Sequence, residues 1–370
     1  MVTAMPGGGG RSYLRPVGLL PAMRLQNDQT GGYAGTLPLC GDGPFDFAAI
    51  EIITRQGRDI KRRLSTLGEL WASDAGLSLQ GASDTLARLT SPRRRIAGLT
   101  MTGAQLMGVV NVTPDSFSDG GQFGSIAEAV AHGQRLAEDG AAILDIGGES
   151  TRPGSSAIST DEELARVLPV IEALAQRTEA LISIDTRKAE VAQRALAAGA
   201  HMLNDTTALT HDPGMMAVAA EAGVPIVLMH ALGDPKSMQD DPRYDDAPTD
   251  IFDYLAAKIE ACVAAGIVRD RIMVDPGIGF GKTIAHNLQL LGSLTLFHGL
   301  GCPVLVGASR KRFIGTLTNE PVASKRVAGS IGAALAAASQ GIQIIRVHDV
   351  RETKAALDVF MTALRGTVNA

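Results

Sequence analysis

The residues best equipped for chemistry stand at the ends of short apolar runs. Asp185 lies in SIDT, Asn204 in LND, Asp275 in VDPG, and Arg346 with His348 in RVHD. Two carboxylates and an amide around one cavity accept hydrogen bonds from ring N–H and amino groups, as a 2-aminopyrimidinone presents them. The same carboxylates could instead form an acid and base pair or bind a metal. Against a hydrolytic zinc centre, no run end carries an HxH or HxxxH pair, and His230 and His348 fall on different runs. ASRKRFIG, 308 to 315, places Arg310, Lys311 and Arg312 after Ser309, and Arg152 adds a further cation. In a chain of net charge −5, such a local cationic cluster suits a small phosphorylated substrate.

Three polar loops accompany these residues. NVTPDSFSDGG, 111 to 121, reads as a flexible loop and lid; Asn111 at its root either caps the turn or offers a neutral oxygen to Mg²⁺ whose other ligands are substrate phosphates. DIGGESTRPG, 145 to 154, turns on Gly147 and Gly148, with Glu149 in a structural role. DPGIGFGKT, 275 to 283, misses a Walker A loop by one position, because Pro276 stands where the first Gly is needed; it reads as a turn and helix start, with Phe280 either packing or closing over a planar ligand.

Positioning these groups requires a repeated element. From about residue 106 the chain alternates apolar runs with helical stretches rich in Ala, Leu and Glu: LMGVVNV, AAILDIG, ALISIDT, HMLNDT, PIVLMH, RIMVDPG, PVLVGAS and IIRVHDV. Eight such units predict a (β/α)₈ barrel, with a doubly wound open sheet as the alternative. Every run ends in a polar residue, and only in a barrel do these ends converge on one mouth. Val327 to Ile345, uncharged but rich in Ala and Gly, reads as a buried helix and strand rather than a membrane span.

Residues 1–100 break this rhythm and form an additional N-terminal α/β extension, separate from a barrel at 101–370. Its start is Gly-rich and reads as mobile. FDFAAIEIITR reads as a strand; Ile60, Leu64, Leu67 and Trp71 fall at helical spacing, and Leu86 and Leu89 mark a second helix. TSPRRRIAG, 90 to 98, reads as a solvated basic linker. A pI near 5.8 and 4% aromatic residues argue against nucleic acid as a partner, and VGLL is too short for a signal-peptide core. Three widely spaced cysteines, Cys40, Cys262 and Cys302, fit no disulfide framework, so a cytoplasmic protein with no membrane partner is expected.

GVVNVTPDSFSDGG and ILDIGGESTRPG resemble the two signature motifs of the dihydropteroate synthase family, and SIDT, LND, VLMH, DPGIGFGK, SRK and RVHD follow in that family's order. The resemblance covers roughly residues 105 to 360; LNDTTALTHDPG is a variant of its segment. It implies a pterin-binding barrel that condenses 6-hydroxymethyl-7,8-dihydropterin diphosphate with 4-aminobenzoate, forming a C–N bond with loss of diphosphate. Asp185, Asn204, Met229, Asp275 and Lys311 would then hold the pterin. Asn111, Arg152, Arg346 and His348 would hold the diphosphate, with Asn111 also binding Mg²⁺, while Thr151, Pro153, Phe280, Ser309 and Lys311 would shape the aminobenzoate site. Asp185, Lys311 and Arg346 are the residues expected to act in catalysis. A homodimer and competition by sulfonamides are further implications. A pterin-binding methyltransferase acting on methyltetrahydrofolate, or an inactive homologue with a binding role, are the alternatives.

Overall fold

A computed structural model of the chain describes residues 10–22, 33–72, 79–113, 122–150, 155–233 and 237–366. The N-terminal part holds a sheet of β1 (Arg11–Pro21), β2 (Leu37–Pro38), β3 (Phe45–Gln56) and β4 (Asp59–Thr66), followed by helices α1 (Leu67–Ala72) and α2 (Leu79–Thr90). Strand β3 is central, antiparallel to β1 on one side and to β2 and β4 on the other. Phe47, Ile50 and Ile52 pack in one cluster with Leu14, Leu86 and Leu89, while Tyr13 and Ile53 join Leu296 of the barrel.

The helical spacing of Ile60 and Leu64 is overturned, because both lie in strand β4, opposite Arg55 and Glu51. An interval of four residues is common to both periods, two strand repeats or about one helical turn, and therefore does not discriminate between them. Gly57, at φ +61°, turns the chain back on β3, and the antiparallel ladder decides the outcome. The helix is confined to Leu67–Ala72; the Trp71 side chain, like residues 1–9, lies outside what is described. The solvated linker holds for Arg94 and Arg95, which are exposed, but not throughout. Arg93 is buried and donates to the carbonyls of Arg88, Ser91 and His298, and Ile96 is buried at the floor of the barrel.

All eight apolar runs form strands: β5 (Gln105–Asn111), β6 (Ile143–Gly147), β7 (Leu181–Asp185), β8 (Met202–Asp205), β9 (Ile226–Met229), β10 (Ile272–Asp275), β11 (Leu305–Val306) and β12 (Ile344–Val347). They pair in parallel in the order β10-β9-β8-β7-β6-β5-β12-β11, and a bridge between Val274 and Val304 joins the two ends. The result is a (β/α)₈ barrel. Its helices are α3 (Gln122–Glu138), α4 (Thr160–Ala175), α5 (Ala189–Ala197), α6 (Met215–Ala222), α7 (Ala247–Ala264), α8 (Ile284–Leu291), α9 (Arg312–Thr318), α10 (Val327–Ala338) and α11 (Val350–Arg365). The uncharged stretch at 327–345 supplies α10 and the start of β12, and no described helix is long and apolar enough to cross a membrane.

Inside the barrel, Met107, Ile143, Met202, Val227, Met273, Leu305 and Ile344 form one apolar layer, plugged from below by Ile96 and Met101. Strand side chains alternate, so the next inward position on each strand is two residues further on. Those positions are Asp145, Asn204, Met229, Asp275, Gly307 and Arg346. The apolar layer thus forms the floor of a polar one.

Candidate active site

Arg346 lies at the centre of that polar layer. Its Nε donates to Asp145 Oδ2 at 2.6 Å and its Nη2 to Asp185 Oδ2 at 3.0 Å, while Asn204 Nδ2 also donates to Asp145 Oδ2 at 3.0 Å. Gly307, the inward residue of the neighbouring unit, lies against it: a Cβ there would be in ordinary contact with Arg346 Cβ at 3.6 Å and Cδ at 3.7 Å. Asp185 and Asn204 are directly paired across β7 and β8, and Gly147 sits opposite Asp185. A Cβ built on Gly147 would lie 3.7 Å from Asp185 Oδ2 and 3.9 Å from Asn111 Oδ1, so Asn111 belongs to the same mouth.

One guanidinium serves two buried carboxylates. Burial, then the charge of Asp145, pushes Asp185 up to about 8, with Arg346 opposing the rise. Arg346 itself is held above its usual value because Asp145 and Asp185 outweigh its desolvation. These two directions differ in sense for one ion pair; they are compatible because a single cation cannot offset two carboxylates. Asp145 Oδ1 and the neighbouring Ser183 Oγ are buried without a hydrogen-bond partner among the described residues.

Asp275 forms the other wall. Its Oδ1 accepts from Gly277 N at 2.7 Å, and burial raises its pKa against the opposing pull of Lys311. Gly277 has φ +68°, and a Cβ there would stand 1.9 Å from His230 O, so only glycine fits this turn. Lys311 Nζ bonds Ile278 O and lies 4.5 Å from the centre of the Phe280 ring, a cation–π contact. Burial lowers the Lys311 pKa to about 8. Ser309 Oγ accepts from His348 N at 3.3 Å and meets His348 Nδ1 at 3.0 Å, tying the loops after β11 and β12 together. Arg310, at φ +60°, reaches across the same gap with its Nε 3.0 Å from Asp349 Oδ2.

Asp185, Asn204, Met229, Asp275, Phe280, Ser309, Lys311, Arg346, His348 and Asn111 therefore all lie on the strand ends and loops of one face. Thr151, Arg152 and Pro153, and residues 114–121 of the loop after Asn111, lie outside the described residues. Glu149 has the structural role expected: Arg187 Nη2 reaches its Oε1 at 2.6 Å and Lys188 Nζ its Oε2 at 2.8 Å, and these cations hold its pKa down against burial. Asp205 turns away from its neighbour Asn204 and accepts from Thr207 N and Leu209 N at 2.7 and 3.0 Å.

Two residues had no role in the sequence-based site. Asp145, the polar end of the run AAILDIG, is one inward step below Gly147, and counting by twos from Ile143 turns it toward the site. Lys282 is buried, with Nζ 3.0 Å from His230 Nδ1 and 2.9 Å from Phe280 O, and burial lowers the pKa of both Lys282 and His230 well below their usual values. Nothing in a Gly-rich turn signals such inward placement. Thr283 does start a helix, capping α8 reciprocally with His286.

The match to known proteins agrees with this geometry. Residues 107–348 match the family model described as pterin binding enzyme. The Escherichia coli K12 dihydropteroate synthase is 48% identical over 271 residues, covering 73% of this chain and 95% of that protein. The Bacillus subtilis dihydropteroate synthase is 45% identical over 247 residues, 67% and 84% of the two chains. Among solved structures, Xanthomonas albilineans dihydropteroate synthase with 4-aminobenzoic acid aligns with TM-score 0.70 and 50% identity over 75% of this chain and 100% of that one. The same enzyme in complex with 7,8-dihydropteroate aligns at TM-score 0.67 and 47% identity, over 73% and 97%. The chain belongs to the pterin-binding enzymes, as one of their (β/α)₈ barrels. Its activity within them is that of dihydropteroate synthase, a transferase of folate biosynthesis that joins 6-hydroxymethyl-7,8-dihydropterin diphosphate to 4-aminobenzoate with release of diphosphate.

Proposed function

We propose that the polar layer divides this reaction among its residues as follows. Asn204 and Asp275 read the aminopyrimidinone edge of the pterin, with Asp185, Met229 and Lys311 completing its site. The observation that supports this is the placement of Asp185, Asn204 and Asp275 at the ends of β7, β8 and β10 above an apolar floor, with Met229 of β9 between the last two. Arg346, His348 and Asn111, with Arg152, hold the diphosphate; Thr151, Pro153, Phe280, Ser309 and Lys311 shape the aminobenzoate site.

Breaking the C–O bond places positive charge on the carbon beside the pterin ring and negative charge on the departing diphosphate. Ionised Asp185 favours the first, and the cations of Arg346 and Lys311 favour the second. The arylamine is a weak nucleophile, so its orientation by Phe280 and Lys311 contributes more than a base would. No group of three His, Cys, Asp or Glu that could hold a metal occurs among the described residues. Asn111 Oδ1, a single neutral oxygen near Asp185, fits Mg²⁺ carried mainly by the diphosphate itself, where it would supply further charge neutralisation.

The chain is read as an N-terminal unit to about residue 100 and a pterin-binding barrel at 101–370, acting in the cytoplasm as a homodimer and open to competition by sulfonamides. Its buried, unpaired Cys40, Cys262 and Cys302 support a reducing compartment. Titration calorimetry of pterin diphosphate tests the site. Asp275→Asn is expected to weaken binding strongly, and Arg346→Ala to remove its Mg²⁺-dependent part; near-normal binding in both variants would break the assignment.

A further inference from the structure

The N-terminal sheet covers the side of the barrel and touches it in a patterned way. Alternate residues of one face, Arg11, Tyr13 and Arg15 of β1 with Glu51, Ile53 and Arg55 of β3, stand in register, and Arg62 of β4 continues the Ile53 rung. That face meets α7. Arg11 Nη1 and Tyr13 OH reach Asp253 Oδ2 at 2.7 and 2.9 Å. Arg55 bonds Asp250 and lies 3.4 Å from Asp245, and Arg62 Nη2 lies 2.7 Å from Asp246 Oδ1.

These acidic residues build the start of α7. Asp246 is its N-cap, accepting from Thr249 N at 3.3 Å, and Asp250 Oδ2 accepts from Asp245 N at 2.9 Å. The adjoining residue is Tyr244, whose hydroxyl donates to Gly281 O at 2.8 Å, while Gln239 Nε2 donates to Gly279 O at 2.7 Å. The loop so held carries Phe280 between two glycines of positive φ, and its tolerance is small. A Cβ on Gly279 would meet Lys311 Cδ at 2.9 Å, and one on Gly281 would meet Leu232 Cβ at 2.6 Å.

We propose that the N-terminal sheet positions the substrate loop at 277–282, with Arg55 and Arg62 as positioning residues acting through the start of α7 and Tyr244. This gives a catalytic purpose to a part of the chain that no strand of the barrel requires. It rests on the reading of Phe280 and Lys311 as aminobenzoate contacts.

The test uses the full chain. Arg55→Met with Arg62→Met keeps the aliphatic stems and is expected to raise the KM for 4-aminobenzoate about tenfold with kcat changed far less, the signature of lost positioning rather than lost chemistry. Arg55→Lys should recover most of the loss. Tyr244→Phe should raise the same KM, and adding Arg55→Met to it should add little, because both act on one path. Arg11→Met cuts an ion pair to the same helix further from the loop and should leave both constants unchanged. Amide exchange at Gly279 to Gly281 reads the loop without substrate and should accelerate in the double variant. Unchanged exchange, or an equal effect from Arg11→Met, overturns the proposal. Faster exchange with an unaltered KM for aminobenzoate upholds the brace and refutes only the substrate reading.

Discussion

Replacing Arg346 by Met removes the guanidinium that Asp145 and Asp185 share, while keeping much of the side chain's volume. Asp145 is fully buried and the Asp185 side chain is 11% exposed, so solvent screens little of the change. Breaking a buried pair costs about 3–5 kcal/mol. For a large domain this lowers Tm by roughly 6–10 °C. The cost depends on pH in a direction fixed by Asp185. Its pKa in the folded protein is raised to about 8, so the stability it contributes is complete below its unfolded value of about 4 and is lost as pH rises through about 8. Without Arg346 the opposing influence is gone, the folded value rises further, and the loss extends to higher pH. At pH 5.5 Asp185 is neutral in both proteins and the variant loses less; at pH 9 it is largely ionised beside Arg346 in the parent but held protonated in the variant, which costs the variant further stability. Urea unfolding at the two pH values should separate the losses by up to about 1.4 kcal/mol, the equivalent of the one pKa unit between about 8 and pH 9. Adding Asp145→Asn should return part of the stability at pH 9. Equal destabilisation at both pH values would refute the shared-cation account.

Three further outcomes follow from the geometry. The pH profile of kcat/KM should be a narrow bell near pH 8, rising as Asp185 ionises and falling as Lys311, lowered to about 8, loses its proton; Lys311→Arg should move the falling limb upward. Gly277→Ala should cost more than about 3 kcal/mol or leave the protein insoluble, since its Cβ would lie 1.9 Å from the His230 carbonyl oxygen, and a thermal melt within 2 °C of the parent would contradict this. Lys282→Met should be tolerated better than His230→Leu with Lys282 retained, because the latter leaves a buried amine with one fewer partner; denaturant midpoints rank the two.

The barrel was legible because eight apolar runs repeat at regular intervals and each ends in a polar group. The site was legible where a residue closes a strand, as Asp185, Asn204, Asp275 and Arg346 do. Asp145 was legible as a polar strand end but not as a partner of Arg346, because it lies one rung deeper and pairing across the barrel leaves no local signal, although its spacing from Ile143 carries the inward period. Lys282 escaped because its position depends on a Gly-rich turn, whose path no periodicity encodes. In the N-terminal part, Ile60 and Leu64 misled because their interval suits both a strand and a helix, and what decides between them is pairing with β3 across the turn at Gly57, which no interval within β4 encodes.

The wall of the barrel is not equally strong all round. Between β10 and β11 it is closed by the Val274 and Val304 bridge, and β11 is two residues long. Few rungs mean a low free energy of local opening. The ring therefore behaves as a band with a clasp: Leu305 and Val306 should exchange amide hydrogens by unfastening while the opposite staves, β5 to β8, stay shut. Asp275 flanks the clasp on one side and Ser309 on the other. With Asp275 proposed for the pterin and Ser309 for the aminobenzoate, breathing at this seam would loosen both sites at once and tie product escape to the weakest stitch in the sheet.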